Sequence, residues 1–157
     1  MKEIKNAFVN SLKNYNCFAC SPDNKFGLQM KFFDDGENIV SIWTPKLHFD
    51  GWDGVIHGGI QATLIDEIGE WYVFTKIGRS AVTLNLDIRY KKPLNSGKGN
   101  ITLKAKLSEL NKNVATINIS VYDGNNELCT TGTGKFHVFS EKESKEKFNF
   151  PGIEKFR

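Results

Sequence analysis

Apolar side chains recur along the chain with two different periods, and the change of period separates predicted helices from predicted strands. A helical spacing among polar residues predicts a short amphipathic helix at the amino terminus, with a stripe formed by Ile4, Phe8, Leu12 and Tyr15. A second helical pattern with a wide apolar stripe covers residues 58–76. The spacing therefore predicts one short helix and one long helix.

Alternation of apolar and polar residues predicts two strands before the long helix and four after it. The predicted strands are residues 28–32, 39–43, 83–90, 101–110, 114–122 and 128–139. Turn-forming clusters such as Asp34-Asp35-Gly36 and Asp123-Gly124-Asn125 separate neighbouring strands. The pattern predicts an α+β fold, an antiparallel sheet with one long helix. A single helix cannot cover both faces of a sheet, so the other face is expected to be solvated or to pack on another chain.

The length of 157 residues is typical of a single domain, and we predict that its core covers about residues 17–139. A net charge of +3, from 21 basic and 18 acidic residues, does not require nucleic acid or a membrane as partner, and it suits a phosphate-bearing ligand. The charged run at residues 141–147 predicts a solvated helix or tail within residues 140–157. Phe148, Phe150 and Ile153 follow this run and offer apolar groups that could dock back.

The three cysteines, Cys17, Cys20 and Cys129, are an odd number, which argues against a disulfide-stabilised secreted protein. The amino terminus lacks the apolar core of a signal peptide, and no stretch approaches eighteen consecutive apolar residues. We therefore expect a reduced cytoplasmic protein. Cys17 and Cys20 have the spacing of half a zinc site, but a structural zinc needs four ligands. We expect a thiol pair that is dispensable for the chemistry, with no bound metal.

The stretch that enters the long helix carries the candidate chemistry. Gly58 and Gly59 follow His57, and a glycine pair at a helix start lets a ligand approach the free backbone N–H groups. Those groups and the helix dipole suit an anion or a developing oxyanion. A simple turn leading into a helix is the alternative interpretation.

Asp66 lies seven residues after Gly59 and therefore on the same helical face, two turns away. A carboxylate in a mostly apolar helix costs desolvation free energy unless it has a partner or a task. Two turns are about 11 Å along the axis, too far for one thioester to contact both groups of one chain. Antiparallel pairing of two such helices would bring Gly59 of one chain near Asp66 of the other, so the spacing predicts a dimer with two shared sites.

The order of elements, together with the run His57-Gly58-Gly59-Ile60-Gln61-Ala62-Thr63-Leu64-Ile65-Asp66, resembles the hotdog-fold acyl-CoA thioesterases, and within them the phenylacetyl-CoA-thioesterase-like branch. The resemblance covers about residues 17–139 and includes the lead-in Cys17-Phe18-Ala19-Cys20-Ser21-Pro22-Asp23-Asn24. It implies a six-stranded antiparallel sheet wrapped around one central helix. It also implies hydrolysis of an acyl-CoA thioester by a homodimer, or a homotetramer formed from two dimers. Coenzyme A enters as part of the substrate, and no cofactor is implied.

The resemblance also assigns roles to individual residues. Asp66 matches the acidic residue that acts as general base or as nucleophile, and the Gly59 N–H matches the oxyanion donor. His57 and Gly58 shape the turn that presents this N–H. Thr83 matches a hydroxyl group that orients the attacking water.

One position departs from the family pattern. The family often carries Asn or Gln six or seven residues before the Gly-Gly pair, near the thioester carbonyl, whereas this chain has Asp50 and Gly51. The departure leaves open a non-catalytic acyl-CoA-binding protein. A second alternative is a hotdog dehydratase using His48, since His48-Phe49-Asp50-Gly51 is similar to the H-F-x-G of those enzymes.

Further charged residues have two interpretations each. Arg89, Lys91, Lys92 and Lys98 cluster near one strand end, where they either contact the phosphates of coenzyme A or form ordinary surface charge. Glu67 and Glu70 point to other helical faces than Asp66, so we expect them in solvent or in salt bridges.

Overall fold

The computed structural model describes all 157 residues and consists of one antiparallel sheet packed on a central helix. Its strands are β1 (Lys2–Glu3), β2 (Phe32–Asp34), β3 (Ile39–Trp43), β4 (Ala81–Tyr90), β5 (Ile101–Asn111), β6 (Val114–Tyr122) and β7 (Leu128–Val138). Its helices are α1 (Phe8–Ser11), α2 (Gly58–Tyr72), which continues into a π-helical segment (Val73–Ile77), and α3 (Glu141–Phe148). None of these helices is both long enough and apolar enough to cross a lipid bilayer.

The seven strands follow the order β1-β2-β3-β5-β6-β7-β4, and all neighbours are antiparallel. After β3 the chain forms α2 and returns at the far edge of the sheet as β4, so the later strands fill the space between. The ten-residue β4 is consequently an edge strand with only β7 as neighbour. The four strands after α2 begin and end within two residues of their predicted bounds, which confirms that part of the prediction.

The strand predicted at residues 28–32 is shorter than expected. Leu28 and Met30 are buried as the alternation requires, but Gln29 has a left-handed φ of 51°, which interrupts the extended backbone. The Leu28 and Met30 amides donate instead to the carbonyl oxygens of Phe18 and Ala19, at 2.8 and 2.9 Å. Strand β2 therefore begins only at Phe32.

The predicted amino-terminal helix is reduced to the single turn of α1. Residues Lys2 and Glu3 pair with β2 as an additional edge strand, and the Ile4 amide donates to the Phe32 carbonyl at 2.9 Å. The sheet consequently has seven strands, where six were expected. Phe8 is buried nonetheless, and the rest of the predicted stripe packs on the core.

The buried face of α2 forms the centre of the core. Leu64, Ile65, Ile68 and Trp71 are inaccessible to solvent, and the Trp71 ring stacks on Phe32 at 4.3 Å between centroids. Gly69 lets the helix approach β7 closely, because a Cβ atom there would lie 2.5 Å from the Phe136 ring. This close approach fixes the position of α2 across the sheet.

Residues 140–157 were predicted as a solvated charged helix or tail whose apolar residues could dock back, and the structure has both a helix and docked apolar residues there. Helix α3 is charged and begins with a capping box, in which Ser140 and Glu143 satisfy each other's backbone N–H groups. After α3, Phe150 and Phe156 are buried and contact Phe8 in the main core. The segment is therefore part of the folded domain.

Candidate active site

The start of α2 is fixed by hydrogen bonds from three directions. His57 is the N-cap residue, and its Nδ1 accepts from the Gly59 N–H at 2.8 Å. The Tyr90 O–H on β4 donates to the Gly58 carbonyl oxygen at 2.7 Å. Gln61 donates through Nε2 to the Ile56 carbonyl oxygen at 3.0 Å. The glycine pair is thus held in one place at the surface.

Asp66 and Thr83, two of the predicted catalytic residues, are in direct contact. The Thr83 O–H on β4 donates to Asp66 Oδ1 at 2.6 Å, which connects α2 to the open edge of the sheet. Burial raises the pKa of Asp66 above its ordinary value, and the hydrogen bond from Thr83 offsets part of that rise because it favours the charged form. The result is a half-buried carboxylate with increased basicity beside an exposed hydroxyl group.

The predicted oxyanion donor is exposed but already occupied. The Gly59 N–H points to the imidazole of His57 rather than into solvent. A substrate carbonyl oxygen would therefore have to replace His57 Nδ1 as the acceptor. Gly59 and Asp66 are both accessible and are separated by two turns of α2, as the sequence predicted.

Asp50, predicted to bind substrate, is used within the loop that precedes α2. Its Oδ2 accepts from the Gly54 N–H at 3.2 Å and from the Ser96 O–H at 3.1 Å. Its Oδ1 is buried without a hydrogen-bond partner. The carboxylate therefore stabilises the loop around Gly54, and the substrate-contact role finds no support in its hydrogen bonds.

An open cavity of about 950 Å³ adjoins the start of α2. It is lined by Gly51, Trp52, Val55, Ile56, His57, Gly58, Gln61, Tyr90, Lys91, Lys92 and Pro93. Lys92 is ion-paired with Glu127, whereas Lys91 is exposed and has no ion-pair partner. Arg89 is exposed and likewise unpaired, but it does not line this cavity, so Lys91 is the free cation on its wall.

A second depression of about 410 Å³ also borders His57. It is lined by His48, Phe49, Asp50, His57, Gly59 and Ile60. His48 is exposed, its ring lies tilted against Phe49 with 4.1 Å between ring centroids, and its imidazole makes no hydrogen bond. The imidazole of His48 is thus near the helix start without a group that orients it.

Tyr90 and Gln61 were not among the predicted site residues, although both hold the start of α2. Gln61 is buried and accepts a hydrogen bond from the Thr130 O–H at 2.6 Å in addition to its bond to Ile56. An amide side chain on the fourth residue of an apolar helix was a visible signal, because buried polar groups need partners. Tyr90 carried no comparable signal, since it continued the alternation of β4.

Glu67 and Glu70 were expected in solvent or in salt bridges, and this expectation is wrong. Glu67 is buried, accepts from the Trp71 indole N–H at 2.9 Å, and has its pKa raised to about 8, chiefly by burial. Burial, with the nearby charges of Glu67 and Asp66, raises the pKa of Glu70 to about 9. Neither makes a salt bridge, because both face the packed elements around α2.

A seven-stranded antiparallel sheet on one central helix, with a glycine-rich helix start and a carboxylate two turns later, is the hotdog architecture of thioesterases. The model of the thioesterase superfamily matches residues 53–130. The protein named Putative esterase SSO1253, from Saccharolobus solfataricus, is 31% identical over 124 residues, covering 77% of this chain and 79% of that protein. The chain belongs to the thioesterase superfamily.

Other relatives share the fold or part of the sequence. Acyl-coenzyme A thioesterase THEM4 of Rattus norvegicus is 38% identical over 64 residues, covering 40% of this chain and 27% of that protein. The solved structure of thioesterase HI1161 from Haemophilus influenzae superposes with a TM-score of 0.64 at 22% identity, covering 72% of this chain and 80% of that one. The solved structure of the E. coli PaaI protein from the phenylacetic acid degradation operon superposes with a TM-score of 0.64 at 20% identity, covering 72% of this chain and 81% of that one. These two structures support the fold.

Proposed function

We propose that the protein hydrolyses an acyl-CoA thioester to the free acid and coenzyme A, at a site shared between two chains. The observation that carries the proposal is the pair formed by Asp66 and Thr83 at the open edge of the sheet. Asp66 supplies a carboxylate with a raised pKa, and Thr83 supplies an exposed hydroxyl group next to it. Membership of the thioesterase superfamily supports the reaction type.

In the proposed reaction, Asp66 acts as general base on a water molecule that Thr83 helps to orient. As the water oxygen attacks the thioester carbonyl, one water proton moves to the Asp66 carboxylate and negative charge develops on the carbonyl oxygen. The Gly59 N–H, at the positive end of the α2 dipole, donates to that oxygen in place of His57. Collapse of the intermediate breaks the carbon–sulfur bond, and the coenzyme A thiolate takes up a proton.

Two features support a shared site. Gly59 and Asp66 are about 11 Å apart along α2, so one thioester cannot contact both within one chain. The edge strand β4 has no partner on its outer side and exposes Val82, Leu84 and Tyr90. An edge strand of ten residues is a template for pairing. Antiparallel pairing of β4 with its copy would bring the two α2 helices together. A tetramer formed from two dimers rests on the family resemblance alone.

The cavity beside the α2 start is the proposed place for coenzyme A. Lys91 lies on its wall without an ion-pair partner, and Arg89 is exposed on the same strand end. These two cations are free to contact phosphate groups. Lys92 is a weaker candidate, since Glu127 already neutralises it.

A second candidate function is non-catalytic binding of acyl-CoA. The observation that favours it is the hydrogen bond from the Gly59 N–H to His57, which occupies the oxyanion donor. The dehydratase alternative gains no support, because His48 has no partner that would position it as a base.

Hydrolysis of short-chain, long-chain and arylacetyl-CoA thioesters, followed by loss of thioester absorbance, tests the proposal. We expect turnover of at least one class, and we expect Asp66→Asn to lower turnover by about 10²–10⁴, the contribution of a positioned acid–base group. Glu67→Gln is the matched control, since it makes the same carboxyl-to-amide change at the adjacent residue and should retain turnover. Tight binding of an acyl-CoA without hydrolysis would favour the second candidate. Loss of turnover in Glu67→Gln but not in Asp66→Asn would reject the assignment of Asp66.

A further inference from the structure

Cys17 and Cys20 lie together on the side of α2 that faces the amino-terminal segment. Cys20 Sγ is 2.9 Å from Cys17 Sγ, and the Cys20 N–H donates to Cys17 Sγ at 3.2 Å. Cys17 is half-buried, whereas Cys20 is buried. The tight turn therefore already holds two free thiols in contact, one of them within reach of solvent.

The two thiols have different acidities. Hydrogen bonds from the Cys20 thiol and from backbone N–H groups lower the pKa of Cys17 to about 6, despite partial burial. The same sulfur–sulfur contact, together with burial, raises the pKa of Cys20. The Tyr15 hydroxyl oxygen lies 2.7 Å from Cys20 Sγ on its far side. A half-exposed thiolate thus stands in front of a neutral buried thiol.

A buried carboxyl group completes the cluster. Glu67 Oε1 lies 3.5 Å from Cys17 Sγ, and the two sulfur atoms and a Glu67 oxygen are all within 4.8 Å of one another. A small cavity of about 250 Å³ borders both cysteines and Glu67, with Phe74 and Phe150 among its apolar walls. The site therefore combines a nucleophile, a second thiol, a proton acceptor and space beside them.

We propose that Cys17 and Cys20 form a reversible intramolecular disulfide by exchange with low-molecular-weight disulfides, with Glu67 as the proton acceptor in the second step. The arrangement meets the requirements of thiol–disulfide exchange, a solvent-accessible thiolate and an adjacent resolving thiol. This site is separate from the Asp66–Thr83 pair, and the hydrolysis proposed above uses none of its groups.

The exchange proceeds in two steps. The Cys17 thiolate attacks one sulfur of the external disulfide, which gives a mixed disulfide and releases one external thiolate. The mixed disulfide removes the Cys17 charge that helps to raise the pKa of Glu67, so the Glu67 carboxyl group ionises more readily. Cys20 then transfers its proton to the Glu67 carboxylate and attacks Cys17 Sγ, which releases the second external thiolate. The two protein thiols are oxidised to one disulfide, and the external disulfide is reduced to two thiols that take up the two protons.

The geometry favours a sulfur–sulfur bond over a shared metal ion. Two thiolates on a tetrahedral zinc, with Zn–S bonds of about 2.3 Å, stand about 3.8 Å apart. The sulfur atoms of Cys17 and Cys20 are 2.9 Å apart, so zinc binding would require the two side chains to move apart.

The test uses the full-length chain, reduced and then equilibrated in glutathione buffers of increasing oxidised fraction. After acid quenching and alkylation, intact-protein mass spectrometry counts the remaining thiols. We expect Cys17 and Cys20 to disappear together, with a mass loss of two hydrogen atoms that dithiothreitol reverses. Cys129→Ser should behave in the same way, because Cys129 is buried elsewhere. Cys20→Ser should stop at one glutathione adduct, and Cys17→Ser should remain unmodified.

Glu67→Gln tests the role of the carboxyl group. We expect the mixed disulfide to form at the wild-type rate and to resolve several-fold more slowly, in a variant whose circular dichroism is unchanged. An unchanged resolution rate would overturn the role of Glu67. A persistent adduct in the wild type with Cys20 still free to be alkylated would overturn the disulfide. Stoichiometric zinc in the purified protein, retained through reduction, would overturn it in favour of a metal site.

Discussion

Three carboxyl groups on one stretch of α2 have three different surroundings. Asp66 contacts the exposed hydroxyl of Thr83, Glu67 is buried against Trp71 and the cysteine pair, and Glu70 is half-buried next to Glu67. Helical periodicity separated Asp66 from the other two, but it placed the other two in solvent or in salt bridges. Glu67 and Glu70 are covered by α1 and by the segment around Cys17. Both are far from α2 in sequence, so a local pattern of residues could not predict this contact.

At the residue scale, Thr83→Val should change the pH dependence of hydrolysis. The hydrogen bond from the Thr83 hydroxyl group favours the carboxylate form of Asp66, so its loss should raise the Asp66 pKa further. Because the base must be ionised, the acidic limb of the kcat/KM profile should then move to higher pH. Thr133→Val, on β7, is the control and should keep the wild-type profile. If the acidic limb does not move, the Thr83 hydroxyl group does not influence the ionisation of the base.

Glu70→Gln should increase stability, and more so as the pH rises. The pKa of Glu70 is about 9 in the folded chain against 4.5 ordinarily, so between these values the unfolded chain loses the proton and the folded chain keeps it. Wild-type stability therefore falls with increasing pH across this window, whereas a glutamine does not titrate. Thermal unfolding from pH 5 to pH 9 should show a Tm advantage of Glu70→Gln that grows with pH. Glu109→Gln, at an exposed position, should show none.

At the scale of the element, α2 depends on side chains that fix its first turn. Helix α2 begins with the Gly-Gly pair, and its N-cap residue is His57 rather than Ser, Thr or Asp. The imidazole of His57 accepts the hydrogen bond that such a cap side chain would accept. Tyr90 on β4 and the buried Gln61 donate further hydrogen bonds to backbone carbonyl groups at the start of α2. These hydrogen bonds hold the helix start in one conformation, and the same imidazole occupies the N–H group that the proposed reaction would use as oxyanion donor.

His57→Ala should lower the free energy of unfolding by about 1 kcal/mol, since it removes the acceptor for the Gly59 N–H. His57→Asn should restore most of this loss, because asparagine is a good N-cap residue. Urea denaturation measures both effects. His48→Ala is the matched control, as that imidazole is exposed and makes no hydrogen bond. Equal losses in His57→Ala and His57→Asn would show that capping is not the role of His57.

At the scale of the whole molecule, the open edge of β4 is the surface through which the proposed dimer would form. Sedimentation of the wild type should give at least a dimer. Leu84→Lys places a charge on the exposed edge and should shift the protein to monomer with loss of turnover. Ile42→Lys, which changes an exposed apolar residue on β3, should remain assembled and active. A wild-type monomer with full turnover would reject the shared site.

The sequence by itself determined the elements whose burial follows a regular period: the long helix carrying Asp66, and the four strands after it. Local alternation reports which face of an element is buried, so these bounds were predicted within a few residues. Tertiary structure decided the seventh strand, the occupied Gly59 N–H and the cluster of Cys17 with Glu67. The last two residues are fifty positions apart, and only the folding of the amino-terminal segment against α2 brings them together.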